Sequence, residues 1–137
     1  MTNKVVFDTN ILISAYLWGG LPRKALELTR TKKWLLVISK ESIREFIRVL
    51  GYSKFGLSSS EIRPILKDIE EYSEFFEIDT SINIIKEDVF DNLFLSLAID
   101  SNARYIVSGD SHLLNLKRYK NIEIISVKRF MELTKDN

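Results

Sequence analysis

Asp8 follows directly on the apolar run Val5-Val6-Phe7, and Asp110 stands three residues past a second run, Tyr105-Ile106-Val107. No Lys or Arg adjoins either carboxylate. In open α/β sheets ligands bind just beyond the carboxyl ends of the strands, so these two acids occupy positions where chemistry is done. The same positions have a structural use, because Asp at a strand end caps the next helix and Ser108-Gly109-Asp110 is a common turn composition. Two further acids fall on helical patterns. Asp91 opens its helix, where a carboxylate also complements the positive end of the dipole. Glu45 lies opposite Ile43, Ile47 and Leu50 and beside Glu41, Arg44 and Arg48, so periodicity places it on a solvated face, outside the core.

The rest of the composition narrows what these acids can do. The 137 residues contain no Cys and a single His, His112, which removes disulfides, thiolate zinc sites, cysteine nucleophiles and paired-histidine acid/base chemistry. His112 is expected in a loop near the acids, without a second His or Cys to complete a soft metal site. Twenty Lys and Arg against 19 Asp and Glu give a formal charge of +1, so contact with a polyanion must come from a local patch. Hydrophobic residues make up 45% and charged residues 28%, the balance of a globular protein.

The elements that must position the acids follow from the patterning. Unbroken apolar runs at Val5–Phe7, Leu35–Ile38, Tyr105–Val107 and Ile122–Ile125, the last interrupted by Glu123, predict strands buried on both faces. Helical periodicity is expected over Pro22–Thr31, Lys40–Leu50, Ser58–Phe76, Asp91–Asn102 and Val127–Thr134, with Ser58–Phe76 the longest and Pro64 tolerated near its first turn. Alternating strands and helices predict a three-layer α/β/α fold around a central parallel sheet, with residues 1–137 forming one domain. The apolar start is interrupted at Asp8, and Ile11–Trp18 falls short of the roughly 18 residues that span a bilayer. A cytoplasmic protein without a membrane association is therefore expected.

An ordered set of motifs adds to this reading. Val5 to Ala15 around Asp8-Thr9-Asn10, Ile38-Ser39 followed by Glu45-Phe46 and Val49-Leu50, Asp88 to Asn92 with Leu95 and Ala98, and Ala103 to Asp110 with Leu113-Leu114 together resemble a PIN domain. More narrowly, the sequence is similar to the VapC-type toxins of toxin–antitoxin systems, from about residue 4 to about residue 130. The resemblance implies a Mg²⁺- or Mn²⁺-dependent ribonuclease acting on single-stranded RNA, inhibited by a cognate antitoxin protein and assembled as a homodimer. It also implies a pocket of four carboxylates, onto which Asp8, Glu45, Asp91 and Asp110 map. Val89 stands where relatives often carry Pro between two acids, which leaves the role of Asp88 open.

Four carboxylates gathered within a few ångströms repel one another unless a hard divalent cation neutralises them or some take up protons, and Mg²⁺ and Mn²⁺ suit an all-oxygen donor set. Asp8, Asp91 and Asp110 are expected as metal ligands, with Glu45 as an outer ligand or water-orienting group and with Ser108 and Asn10 as supporting donors. RNA held against such a centre needs a basic rim, for which Arg23, Lys24, Arg30, Lys32, Lys33, Arg44, Arg48, Lys54, Lys117, Arg118 and Lys120 are available. Trp18, beside Gly19-Gly20, is a candidate for stacking an unpaired base, although packing against the protein or a partner is the commoner use of such a residue. A receiver-like or phosphatase domain also places an Asp after a strand, but Asp8-Thr9-Asn10-Ile11 departs from the Asp-X-Asp-X-Thr pattern of the phosphatase, and the paired acids and the Lys of a receiver are not found. A catalytically silent PIN fold that binds RNA or protein stays open.

Overall fold

The computed structural model describes residues 3–80 and 89–135, and the side chains of residues 89–91 are not described. In chain order the elements are β1 (Lys4–Phe7), α1 (Thr9–Leu17), α2 (Gly20–Arg30), β2 (Leu35–Ile38), α3 (Lys40–Leu50), a 3₁₀ turn (Ser53–Phe55), α4 (Ser59–Tyr72), β3 (Ser73–Phe75), α5 (Val89–Ser101), β4 (Tyr105–Val107), α6 (Ser111–Leu116), β5 (Arg118–Tyr119), β6 (Ile122–Ile125) and α7 (Val127–Thr134). The strands form one sheet in the order β3-β2-β1-β4-β6-β5. All neighbours are parallel except β5, which turns back antiparallel on β6. The sheet is therefore mostly parallel rather than wholly so.

Successive strand residues point to opposite faces, and the two sides of the sheet divide accordingly. Val5, Phe7, Leu36, Ile38, Tyr105 and Val107 pack under α1, α2, α3, α4 and α7, whereas Val6, Val37 and Ile106 pack with Phe94, Leu95, Leu97 and Ala98 of α5 and Leu113 of α6. The expected three-layer α/β/α architecture is what the chain adopts. On the first side, Phe130 of α7 meets Phe7 and Trp34 edge to face at 5.9 and 5.4 Å, which fixes the last helix on the sheet. The Tyr16 hydroxyl donates to Asp68, which also pairs with Arg30, and so α1, α2 and α4 meet at one carboxylate.

Some details depart from the sequence expectation. The helix expected over 58–76 ends at Tyr72, and the chain continues as edge strand β3. Pro64 sits in the second turn of α4 rather than the first, on an exposed face where the Ser60 carbonyl it leaves free is open to water. Helices α1 and α6 were not foreseen, and α6 contains His112, which is thus helical and not in a loop. Trp18 closes α1, and a short connection through Gly19 (φ 88°) leads into α2. Asp88 lies outside the described residues.

Topology explains why the acids meet. The chain leaves β1 towards β2 and β3 on one side and returns through α5 to β4 on the other, so the strand order reverses between β1 and β4. Such a reversal opens a crevice at the carboxyl ends of the two strands. Phe7 is in register with Val107, which sets residue 8 beside residue 108 at the mouth of that crevice.

Candidate active site

Asp8 is the N-cap of α1: one carboxylate oxygen accepts from the Ile11 amide at 2.9 Å, and the other accepts the hydroxyl proton of Ser108. The same Ser108 oxygen accepts from the Asp110 amide at 2.9 Å, and Asp110 in turn caps α6 through the His112 amide at 2.7 Å. A single buried serine thus ties the two strand-end acids together. Only 4% of Asp8 is exposed. Burial pushes its carboxyl up to about 6, against the opposing pull of hydrogen bonds from Ser108, Ile11 and Gly109, and the nearby charge of Asp110 adds to the rise. An Asn at this position would cap α1 as well without that electrostatic cost, so capping alone does not account for the carboxylate.

Glu45 overturns the periodicity argument. It is 4% exposed, while Ile47, expected inside, is 40% exposed. The buried stripe of α3 runs through Ser42, Ile43, Glu45, Phe46 and Leu50, wider than expected on the side that packs against α1, and it includes Glu45, which lines the crevice. One oxygen of Glu45 accepts from Arg48, one turn on, whose guanidinium also reaches the Tyr52 hydroxyl at 2.6 Å. The other oxygen, Oε2, is buried with no hydrogen-bond partner, and so is Oγ1 of Thr9. An orphaned carboxylate oxygen is costly, and the residue that carries this one lines a cleft.

That cleft has a volume of about 220 Å³. Asp8, Thr9, Asn10, Glu45 and Asp110 line one part of it, and Arg48, Tyr52, Lys54 and Phe55 another. A larger cavity of about 560 Å³ lies elsewhere, against Lys40, Glu41 and the apolar Phe75, Phe76 and Ile78, away from the strand-end acids. The structure brings Asp8, Glu45, Asp110 and Ser108 to one site. Residue 91 falls in the first turn of α5, and its side chain lies outside the described residues. Asn10 is exposed on the rim and makes no hydrogen bond to Asp8, Glu45 or Asp110. His112 is exposed, with Nδ1 3.6 Å from an Asp110 oxygen.

The basic rim separates into parts. Arg23 donates to the carbonyls of Ala15 and Tyr16 at 3.0 and 3.1 Å and thereby closes the end of α1. Arg30, Lys32 and Lys33 lie at the amino ends of the strands, opposite the strand-end acids, because α2 carries the chain back to the start of β2. Arg118 pairs with Glu123 at 3.1 Å, and Lys24 is exposed on α2. Arg48 and Lys54 alone of this set line the cleft. Tyr52, Phe55 and Thr9 were missed at the sequence level; the run Arg48 to Phe55, which interleaves two cations with two aromatic rings, was the available signal.

The PIN domain family model matches residues 4–112. The chain belongs to the PIN-domain family. PIN domains are generally nucleases and usually depend on divalent metal ions. A crystal structure of PAE2754 from Pyrobaculum aerophilum superimposes with a TM-score of 0.67 at 15% identity, over 99% of this chain and 91% of that one, a likeness of fold. Comparison with curated proteins gives no match.

The donors of this PIN domain fit a hard cation. The set is all oxygen, Glu45 Oε2 is buried and unpartnered, and Asp8, held up by burial and by the nearby charge of Asp110, is a carboxyl that a cation beside it would favour in its ionised form. Among the described residues no three acidic or His side chains draw together into a metal-binding group. Nor is any helix among them long and apolar enough to cross a membrane.

Proposed function

We propose that this PIN domain is a Mg²⁺- or Mn²⁺-dependent endoribonuclease that cuts single-stranded RNA, and that it serves as the VapC-like toxin of a toxin–antitoxin pair. The observation that carries the reading is the buried, partnerless Oε2 of Glu45 in the same cleft as Asp8 and Asp110. Asp8, Asp91 and Asp110 would hold the cation, with Glu45 as a further ligand or water-orienting base. When bound, a divalent cation supplies an acidified water and a positive charge for the scissile phosphate. The chain itself does the rest. Ser108 locks the Asp8 carboxylate by its hydroxyl and the Asp110 backbone by its lone pair, so that two acids are oriented before any ligand arrives. Arg48 fixes one oxygen of Glu45, a residue that lines the cleft, and leaves the other without a partner. A cytoplasmic location, a homodimer and an antitoxin that covers the cleft belong to the same proposal.

The test is to incubate the purified chain with a mixed RNA pool and sequence the ends. Hydrolysis by an activated water leaves a 5′-phosphate and a 3′-hydroxyl, whereas attack by the RNA 2′-hydroxyl leaves a cyclic phosphate. EDTA should stop cleavage, Mn²⁺ or Mg²⁺ should restore it, and Asp91→Asn should be folded and inactive. Cleavage that persists in EDTA or in the variant refutes the mechanism. Absence of cleavage under every metal favours the silent, binding-only PIN domain.

A further inference from the structure

One side of the cleft is built unlike the rest. Trp18 at the end of α1 is 66% exposed, and its indole meets the Phe55 ring edge to face at 5.5 Å. Tyr52 is exposed and lines the cleft together with Phe55. The Lys54 ammonium stands 5.2 Å from the Phe55 ring centre and 5.9 Å from that of Tyr52, and the Arg48 guanidinium lies 5.5 Å from Tyr52 on the inner side. Large aromatic groups left in water near a cleft mark a binding surface. From the outer rim towards Glu45 the order is the Trp18–Phe55 ring pair, Lys54, Tyr52 and Arg48, so that a cation follows the ring pair and another follows the single ring.

We infer that this wall, Trp18, Phe55, Tyr52 and Lys54, is the subsite that holds the strand, stacking unpaired bases on Trp18 and Tyr52 and pairing the intervening phosphate with Lys54. The inference rests on the nuclease reading of the same cleft and extends it to named positioning residues. A polynucleotide alternates π-faced bases with phosphates, which is the alternation the wall offers, and single-strand binders combine aromatic platforms with a basic track in this way. The opposite side of the cleft, with Asp8, Glu45 and Asp110, repels phosphate. The strand is therefore carried on the wall, which leaves it against the acids at one point only. A protein helix would use the rings but has no need of Lys54 between the Trp18–Phe55 pair and Tyr52.

The experiment uses the full chain in EDTA, so that binding is read without cleavage. The probes are an 8-nucleotide RNA of mixed sequence and an abasic ribose-phosphate octamer of equal charge. Trp18 is exposed and Trp34 is 4% exposed, so quenching of the long-wavelength tryptophan emission reports contact at Trp18. The RNA should quench this emission, and the abasic octamer should bind at least about fivefold more weakly, given the usual gain per stacked base. Read by the fluorescence anisotropy of an end-labelled RNA, since the Trp18 variants lose the emission signal, Trp18→Ala and Tyr52→Ala should each weaken RNA binding at least about fivefold, with Trp18→Phe retaining most of it. Lys54→Gln should reduce the slope of log K against log salt by about 0.7. The side chains are exposed, so melting temperatures serve as the folding control. Equal binding of the two octamers, or unchanged affinity in both alanine variants, overturns the subsite and assigns the rings to a protein partner. Cleavage that proceeds at the parent rate in Trp18→Ala also sinks the subsite and leaves the nuclease reading standing, whereas base-dependent binding without cleavage under any metal does the reverse.

Discussion

Asp8→Asn should make the metal-free protein more stable. Burial holds the native Asp8 carboxyl at about 6 against an ordinary 3.8, a rise of about two units, and each unit corresponds to about 1.4 kcal/mol. At pH 7.5 the folded chain must carry a charge it disfavours, at a cost of roughly 3 kcal/mol. Asn keeps the cap on α1 and can still meet the Ser108 hydroxyl, so most of that cost should be relieved. For a chain of this length the melting temperature should rise by roughly 8 °C. The pH dependence fixes the cause. The stability that neutral Asp8 contributes is fully present below pH 3.8 and is lost as pH rises through about 6, so the advantage of the variant should shrink to about 1 kcal/mol at pH 4.5. Urea melts in EDTA at pH 7.5 and 4.5 read both values. Millimolar Mn²⁺ or Mg²⁺ should raise the parent's melting temperature by mass action and the variant's much less. A variant less stable than the parent at pH 7.5 in EDTA, or a gap that does not change with pH, would refute the argument.

Ser108→Ala should cost about 1–2 kcal/mol, and by removing a hydrogen bond that favours the ionised form it should move the metal-induced rise in melting temperature to higher pH, read by melts at pH 6.5 and 8. Glu45→Gln should stay within about 1 kcal/mol of the parent in stability, since its partner Arg48 is half exposed, yet abolish RNA cleavage; Glu41→Gln, exposed on the same helix, should cut normally in the same assay. Asp68→Ala should leave the Tyr16 hydroxyl and Arg30 without their shared partner and cost about 1–3 kcal/mol in urea melts, with activity per folded molecule retained because the pair is remote from the cleft.

The four inner strands were legible because three carry an unbroken apolar run and the fourth, Ile122–Ile125, is interrupted only by Glu123, and α3 and α7 match their expected bounds. Strands β3, Ser-Glu-Phe, and β5, Arg-Tyr, carry no such signal; they are defined by the neighbour they pair with. Helix α1 was hidden for the opposite reason. Thr9–Leu17 is apolar almost all round, because it lies between the sheet and the helices α2 and α3, and a helix without a polar face has no 3.6-residue period to detect. Of the candidate site, Asp8, Asp110 and Ser108 could be placed from strand ends alone. Glu45 could not, because periodicity weighs Ile47 as core and Glu45 as surface, and only the packing of α3 against α1 reverses them. A single acid inside the stripe Ser42, Phe46, Val49 and Leu50 is the pattern that marks such a residue.

The margins of the sheet have a consequence for self-association. Among the described residues the outermost strands are β3, three residues long with Glu74 at its centre, and β5, two residues long with Arg118 in an ion pair to Glu123. A second chain adding itself to either border would gain a ladder of two or three residues and would have to desolvate a charge to do so, which is how β proteins avoid running together into extended sheets. Copies of this chain should therefore meet through helices. Crowding it in concentrated solution should yield discrete particles with the strand content of the isolated chain, and not fibrils in which the sheet continues from one molecule to the next.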